Sequence, residues 1–273
     1  MLIGYNQGTS LKHSTLETDL ILCEKYGFAG IEMQSPLLDE YMSRHTLDDL
    51  RRLFAEIGVK ALPVNALTEF NEPGAREKVI RRLRYLCECA NAAGSDTVIL
   101  VPAPQPPVLV ISAEDTIDAV RDCTPIAAEY GVTLALEFLG FADNSVKTLE
   151  EAMFIAEHVK DLRLVLDCAH IMSSGSVQTV LGLDPAKIAI VHIDDLRMKP
   201  SGVYTDADRV WPGDGDMGLP EIIRNLKTIG YDGVFSVELL NPLYWELPAD
   251  DIFKTAMEKT KTSINAAPGE ITA

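Results

Sequence analysis

Four ionisable side chains stand at the ends of four consecutive apolar runs in the second half of the sequence. They are Glu137, Asp167, His192 and Glu238. Two glutamates, one aspartate and one histidine make a hard to borderline ligand set, which suits Mn²⁺, Mg²⁺, Co²⁺ or Zn²⁺ and leaves coordination positions open for a substrate. The pattern therefore predicts a site for one divalent metal.

Each of these residues, taken alone, has a commoner structural role. A glutamate at a strand end usually forms a salt bridge or caps a loop, an aspartate there often caps the next helix, and a histidine after an apolar run is usually a hydrogen-bonded core residue. Three carboxylates left unpaired in one buried site would be costly, because ionised groups out of water need partners. A bound dication supplies such a partner, so the four residues as a set favour metal binding.

Further polar and aromatic residues are expected around this site. His170 lies three residues after Asp167, where it could contact substrate, act as a fifth ligand or cap the next helix; we favour substrate contact. A long loop, 196–218, carries Arg209 and Trp211, and a loop of this length in a compact domain tends to be functional. Arg209 can donate a planar fork of N–H groups to substrate hydroxyls or a carbonyl, and Trp211 could cover the site.

Two weaker candidates adjoin these residues. Asp194 follows His192 at the spacing of strand alternation, so it could point into the same interior and orient the imidazole of a metal ligand. A solvated loop acid is the alternative. The polar side chains of the segment 65–71 would add further lining to the site.

The elements that must position these residues alternate regularly along the chain. Near-continuous apolar runs are typical of parallel strands covered on both faces, and amphipathic segments between them predict helices. The predicted strands are 2–5, 30–33, 60–65, 97–102, 133–138, 163–167, 188–193 and 234–239. The predicted helices are 14–26, 47–57, 76–92, 113–130, 149–160, 219–229 and 250–263.

Eight strand–helix units without a composition break predict an α/β fold, a single (β/α)₈ TIM barrel. An open doubly wound sheet is the alternative, but no Gly-x-Gly-x-x-Gly motif follows an early strand. The barrel is expected over residues 1–265, with a frayed C-terminal tail at 266–273. Barrel enzymes build their sites at the C-terminal ends of the strands, where the four ionisable residues would converge.

Composition restricts the partners. A formal net charge of -17 disfavours binding to nucleic acid and anionic lipid, and argues more weakly against a multiply phosphorylated substrate. No apolar run is long enough to cross a membrane, and the N-terminus lacks a secretory pattern. Five scattered cysteines indicate a reduced, cytoplasmic protein. We expect a small neutral polyol or sugar as substrate, and a homo-oligomer is possible.

The chain resembles the xylose isomerase-like TIM barrel superfamily of sugar phosphate isomerases and epimerases over essentially its whole length. Within it, the motifs are most similar to those of the inosose isomerase family of inositol catabolism. The resemblance implies that Glu137, Asp167, His192 and Glu238 hold the metal. It also implies that His170 and Arg209 contact substrate, as their matches do in ketose 3-epimerases. The motifs are Asn65-Ala-Leu, Ala135-Leu-Glu137-Phe, Leu164-Val-Leu-Asp167 with His170, His192-Ile-Asp-Asp195, Asp208-Arg-Val-Trp-Pro-Gly213 and Ser236-Val-Glu238-Leu.

The expected activity is a metal-dependent isomerase that moves the ketone of a cyclic polyol, an inosose, through a cis-enediolate. Glu137 and Glu238, besides binding metal, would be the catalytic pair that removes and delivers the proton. The same site could instead support a ketose 3-epimerase or an inosose dehydratase, and a barrel that binds metal or sugar without catalysis is the non-enzymatic alternative. DNA repair of the endonuclease IV type, which needs several metals and a basic face, fits the charge of -17 poorly.

Overall fold

The computed structural model describes residues 1–105, 110–141 and 143–267. Within this part of the chain ten strands are defined: β1 (Leu2–Asn6), β2 (Gly30–Gln34), β3 (Lys60–Thr68), β4 (Thr97–Val101), β5 (Thr133–Glu137), β6 (Arg163–Asp167), β7 (Ile188–Ile193), β8 (Asp195–Leu196), β9 (Arg209–Val210) and β10 (Val234–Val237). Eight of them form a closed barrel in the order β1-β10-β7-β6-β5-β4-β3-β2, with every neighbouring pair for which a register is defined running parallel. The predicted single (β/α)₈ TIM barrel is confirmed. The short strands β8 and β9 pair antiparallel outside it.

Helices surround this barrel. In the described residues they are α1 (Leu16–Tyr26), α2 (Ser35–Met42), α3 (Leu47–Glu56), α4 (Arg76–Ala93), α5 (Ala113–Glu129), α6 (Leu149–His158), α7 (Cys168–Ser174), α8 (Leu219–Thr228) and α9 (Ala249–Ala266). Seven of them match the predicted helical segments closely. The sequence reading missed α2 and α7, which have eight and seven residues and are too short for a clear amphipathic period.

Six short 3₁₀ segments complete the described secondary structure. They are Gln7–Thr9, Leu11–His13, Thr179–Gly182, Pro185–Lys187, Asp206–Asp208 and Tyr244–Glu246. The first of them follows β1 directly and the last lies in the loop after β10. Both therefore lie at the barrel end where the polar residues are expected.

The side-chain alternation of the strands decides what fills the barrel. An inner hydrophobic cluster consists of Ala66, Ile99, Ala135, Val165 and Ile190. Their sequence neighbours, such as Leu134 and Leu136, belong to the larger core between strands and helices. Because side chains of a strand alternate between its faces, the residue two positions beyond an inner one faces the interior again. On three strands that residue is Glu137, Asp167 or His192.

Leu62 closes the opposite end of the barrel. A Cβ atom built on Gly4 or on Gly30 would lie 2.6 Å from the Leu62 side chain. The two glycines therefore make room for this leucine.

The C-terminal helix ends at Ala266, and residues 268–273 lie outside the described part of the chain. The boundary between a barrel over 1–265 and a tail over 266–273 stays a prediction. All five cysteines are free and buried. Of the helices that the structure describes, none combines the length and the apolar composition that a membrane crossing requires.

Candidate active site

The structure brings the four predicted ligand residues together at the C-terminal mouth of the barrel. Glu137 and Asp167 are the last residues of β5 and β6, His192 is the fifth residue of β7, and Glu238 directly follows β10. One ligand atom from each lies within 4.8 Å of those of the other three. All four side chains are buried, with at most 4% of the residue exposed. Their roles as ligands stay a proposal.

Asp167 serves two neighbours with its two carboxylate oxygens. Oδ1 accepts a hydrogen bond of 2.8 Å from the backbone N–H of His170 and so caps α7. Oδ2 faces the interior and pairs with the guanidinium of Arg209. The capping role and a role as metal ligand are therefore compatible, because they use different oxygens.

His192 lies at the centre of the cluster and is held from both sides of its ring. Nδ1 is 3.0 Å from Glu137 Oε1 and 3.0 Å from Glu238 Oε2. Nε2 is 3.0 Å from Oε2 of Glu32, a fully buried carboxylate of β2. A carboxylate behind an imidazole fixes the tautomer and the ring orientation of a metal-binding histidine, so Nδ1 is the nitrogen that faces a metal.

The sequence reading missed Glu32 as a site residue. It stands inside the predicted strand 30–33, between Ile31 and Met33, and not at the strand end. A carboxylate in the middle of a buried strand is rare without a partner, and this was the signal that could have identified it. Its neighbour across the barrel, His192, supplies that partner.

Two asparagines hold Glu238: Asn6, which the sequence did not indicate, and Asn65, from the segment 65–71 that was expected to line the site. Asn6 Nδ2 and Asn65 Nδ2 donate hydrogen bonds of 2.9 and 3.1 Å to the same oxygen, Glu238 Oε1. Asn6 ends β1, next to β10 in the barrel, whereas Asn65 belongs to β3. Asn65 therefore contacts the site as expected, whereas the amide of Asn71 in the same segment donates instead to Thr116 and Ser145.

Arg209 enters the site because the long loop folds back on itself. Arg209–Val210 (β9) pairs with Asp195–Leu196 (β8), directly after β7. The Asp195 carboxylate holds the loop by accepting backbone N–H groups of Leu196, Gly213 and Gly215 at 2.9–3.1 Å. The loop 196–218 is thereby anchored at the mouth.

The guanidinium of Arg209 is buried among the predicted substrate contacts. Nη1 pairs with the carboxylates of Asp167 and Asp194, and Nη2 lies 3.2 Å from Nε2 of His170. The ring of Phe141 lies 5.6 Å from the guanidinium carbon and 4.4 Å from the His170 ring. His170 and Arg209 thus form one unit beside the four candidate ligands.

Asp194 has a different role from the one expected. It is buried, but its Oδ1 accepts the N–H of Ala169 at 2.8 Å and its Oδ2 pairs with Arg209. The prediction that it orients His192 is therefore wrong, as is the alternative of a solvated acid. The physical reason is that the buried guanidinium requires carboxylate partners, and Asp194 is one of those that reach it, together with Asp167 and Asp206.

Trp211 lies in the wall of the anchored loop. It is 6% exposed, and its ring packs against Tyr244 with centroids 4.8 Å apart. Nearby, the indole N–H of Trp245 donates to the carbonyl of Gly8 at 2.9 Å. These contacts place Trp211 in the cover of the mouth, and its contact with substrate stays a prediction.

Burial and neighbouring charges shift the pKa values of Glu137, His170 and His192 when no metal is bound. It raises the pKa of Glu137 to about 7, although the charge of His192 opposes the shift. Burial also lowers the pKa of His170 to about 4, so this ring is neutral at pH 7. Burial acts in the same direction on His192, but the charges of Glu238, Glu32 and Glu137 outweigh it and raise its pKa well above the usual value.

The carboxylates beside Arg209 respond in opposite directions. Burial alone would raise the pKa of Asp167, but the charge of Arg209 and of the two histidines brings it well below its usual value. For Asp194, burial and then the charge of Asp167 raise the pKa well above the usual value, against the attraction of Arg209. One guanidinium therefore cannot satisfy both carboxylates equally.

The donor set fits a divalent metal. Five buried carboxyl groups face one buried guanidinium and the imidazoles of His170 and His192, of which His170 is neutral, so the mouth has an excess of acidic groups. Carboxylate oxygens and a neutral imidazole nitrogen are ligands that Zn²⁺ and Mn²⁺ accept, and a dication would offset this excess. The four residues form a buried site that could hold such an ion. The carboxyl groups are Glu32, Glu137, Asp167, Asp194 and Glu238.

Comparison with known proteins gives a family and close relatives. The family model described as xylose isomerase-like TIM barrel matches residues 20–263. The inosose isomerase of Halalkalibacterium halodurans is 38% identical over 269 residues, which cover 95% of this chain and 95% of that protein. The inosose isomerase of Bacillus subtilis is also 38% identical over 269 residues, covering 95% and 96% of the two chains.

A solved structure is similar to this chain in both fold and sequence. The crystal structure of the IolI protein with a bound zinc atom superimposes with a TM-score of 0.93 at 35% sequence identity. The match covers 99% of this chain and 100% of that one. The likeness therefore extends over the whole barrel, including the mouth that carries the candidate ligands.

Proposed function

Because the chain belongs to the xylose isomerase-like TIM barrel family, we propose that it is a divalent-metal-dependent isomerase that moves the ketone of an inosose. The observation that carries this proposal is the buried cluster of Glu137, Asp167, His192 and Glu238 in a chain that is 38% identical to inosose isomerases. The zinc atom in the related IolI protein supports the assignment of these four residues as ligands. Zinc or another divalent ion is the proposed cofactor.

The four candidate ligands would have two roles, metal binding and proton transfer. A divalent metal held by the four side chains would polarise the substrate carbonyl and make the neighbouring C–H bond acidic. In the barrel, β7 lies between the strands that carry Glu137 and Glu238, so one carboxylate would remove the proton and the other return a proton to the adjacent carbon. Oε1 of Glu238 accepts hydrogen bonds from Asn6 and Asn65.

His170 and Arg209 are the proposed substrate contacts. A neutral imidazole and a guanidinium fork suit the hydroxyl groups of an uncharged polyol. Trp211 and the anchored loop 196–218 exclude water from the mouth, which strengthens the electrostatic interactions of the site. A neutral substrate also agrees with the net charge of -17, which repels polyanions.

Surface charge and cysteine content bear on the partners and the location of the protein. The acidic surface supports a protein that does not bind nucleic acid or membrane and acts on a small molecule. The free cysteines support a reducing, cytoplasmic location. Self-association into a homo-oligomer remains a proposal that a sedimentation measurement would test.

Deuterium exchange tests the proposed activity directly. The protein would be incubated in D₂O with Zn²⁺, Mn²⁺ or Co²⁺ and a panel of inososes and ketohexoses, with NMR reading both C–H exchange and product. We expect exchange and a moved ketone with an inosose. Inverted configuration at one carbon would identify an epimerase, and loss of water a dehydratase. No exchange with any ketone would overturn the enzymatic proposal and leave a metal- or sugar-binding barrel.

A further inference from the structure

The carboxylate of Glu238 has two unlike oxygens. Oε1 accepts two amide hydrogen bonds, from Asn6 and Asn65, whereas Oε2 faces His192 Nδ1 at 3.0 Å and Arg209 Nη1 at 3.9 Å. A carboxylate oxygen has two lone pairs, so two N–H donors saturate Oε1. Only Oε2 is left to face the other candidate ligands.

The direction of the Asn6 amide is fixed by its own partners. Its Oδ1 accepts the backbone N–H of Gly8 and the Nε2–H of Gln34, both at 2.8 Å. A backbone N–H can only donate, so the amide cannot be reversed, and Nδ2 must point to Glu238. The orientation is therefore built into the backbone after β1.

Packing keeps these partners in place. Asn6 is fully buried and Asn65 is 6% exposed. A Cβ atom on Gly8 would lie 2.7 Å from a Leu240 methyl group and 3.1 Å from Asn6 Oδ1, so the backbone at Gly8 can approach only because the residue is glycine. Two strands, β1 and β3, thus hold one oxygen of a residue that follows β10.

We propose that Asn6 and Asn65 are positioning residues that restrict Glu238 to one metal bond, through Oε2. This rests on the proposed metal site. A glutamate can bind a metal through one oxygen or through both, and the second mode would occupy a position that substrate needs. Two N–H donors on Oε1 oppose that mode, so the positions for the ketone oxygen and its neighbouring hydroxyl stay open. Outer hydrogen-bond partners of this kind commonly control metal sites.

Cobalt gives a readout that does not depend on activity. Co²⁺ would be bound to the full-length wild-type protein and to Asn6→Asp and Asn65→Ala, and its visible absorption recorded. Asn6→Asp keeps the acceptor for Gly8 and Gln34 but loses the donor to Glu238. Because six-coordinate Co²⁺ absorbs more weakly than four- or five-coordinate Co²⁺, we expect weaker absorption in both variants, as the freed Oε1 also binds. Exchange of substrate C–H into D₂O should slow by about 10–100-fold.

Asn71→Ala is the matched control. Asn71 is 5% exposed and makes its side-chain hydrogen bonds to Thr116, Ser145 and the N–H of Ala103. Its loss should leave the cobalt spectrum unchanged, even if the protein is less stable. If the Asn6 and Asn65 variants keep the wild-type spectrum and exchange rate, the positioning role is overturned while the proposed function stands. If the wild-type protein binds no Co²⁺, both the positioning role and the proposed metal-dependent function are overturned.

Discussion

The mouth of the barrel has two halves that differ in chemistry. One half, the carboxylate arc, consists of Glu137, Asp167, His192 and Glu238 on or directly after β5, β6, β7 and β10. The other half, the amide arc, consists of Asn6, Gln34 and Asn65 on β1, β2 and β3. The two arcs adjoin where β10 pairs with β1. Glu32 is the exception, because it is a carboxylate on a strand of the amide arc.

The contacts between the arcs explain the difference. Amides of Asn6 and Asn65 donate to Glu238, and Glu32 Oε2 lies 3.0 Å from His192 Nε2. The carboxylate arc therefore supplies the charge that binds a cation and moves a proton, whereas the amide arc supplies neutral groups that fix the orientation of those side chains.

The largest effect is expected where a carboxylate of the first arc becomes an amide. Glu238→Gln keeps the shape of the side chain but removes the negative charge and the proton acceptor, so turnover should fall by on the order of 10²–10⁴-fold. Rates of C–H exchange with an inosose, measured with saturating metal, check this. Near-normal turnover would remove Glu238 from the proposed mechanism.

Glu246→Gln provides the comparison for that variant. Glu246 lies eight residues later in the same loop, where it pairs with Lys12 at 2.6 Å on the surface. The same chemical change there should leave the exchange rate unaltered, because an exposed ion pair contributes little. Equal losses in both variants would point to a general effect on the loop instead of a role for Glu238.

The carboxylate arc could be predicted from sequence because charge stands out against apolar strands. Glu137, Asp167 and His192 each end or nearly end a run of hydrophobic residues, and the regular alternation of strands and helices places such ends at one mouth. The same alternation of strands and helices predicted the barrel and most of the bounds of its elements. Arg209 could also be predicted as a site residue, because it lies in an unusually long loop.

The amide arc could be predicted only in part, through the segment 65–71 that begins at Asn65. Asn6 and Asn65 are uncharged, and an asparagine beside a strand is usually a turn residue, so only the closed barrel shows that both reach Glu238. Glu32 escaped notice because it lies within a strand. The predicted role of Asp194 in orienting His192 was wrong. Strand alternation predicts the face on which a side chain lies, but it does not predict its partner, which is Arg209.

A smaller effect is expected from the carboxylate that stands on the amide arc. Glu32→Gln leaves a hydrogen bond to His192 Nε2 possible but removes the charge that orients the imidazole. Metal affinity should fall by about 10–100-fold, the range typical of partners behind a ligand, and calorimetric titration with Zn²⁺ measures it. Unchanged affinity would show that His192 is held by Glu137 and Glu238 alone.

The smallest effect concerns the support behind the amide arc. Asp19 is buried on α1, where its Oδ2 accepts a 2.8 Å hydrogen bond from Gln7, whose Oε1 in turn accepts the backbone N–H of Gln34. Burial raises the pKa of Asp19 to about 7 from 3.8. Between these values the folded chain binds a proton that the unfolded chain releases, so the stabilisation from this proton is complete below pH 3.8 and is lost as pH rises through 7.

Replacing Asp19 by asparagine removes this pH dependence. From pH 5 to pH 6, the unfolding free energy of the wild-type protein should fall by about 1.4 kcal/mol relative to that of Asp19→Asn, and the difference should level off above pH 7. Urea unfolding under the same metal conditions measures both proteins. In Asp250→Asn the slope should match the wild type, because the surface ion pair with Lys25 lowers the pKa of Asp250 out of this range. If the unfolding free energies of the wild type and Asp19→Asn changed in parallel with pH, Asp19 would be ionised in the folded protein. Gln7 would then contact a charged carboxylate instead of a neutral acid.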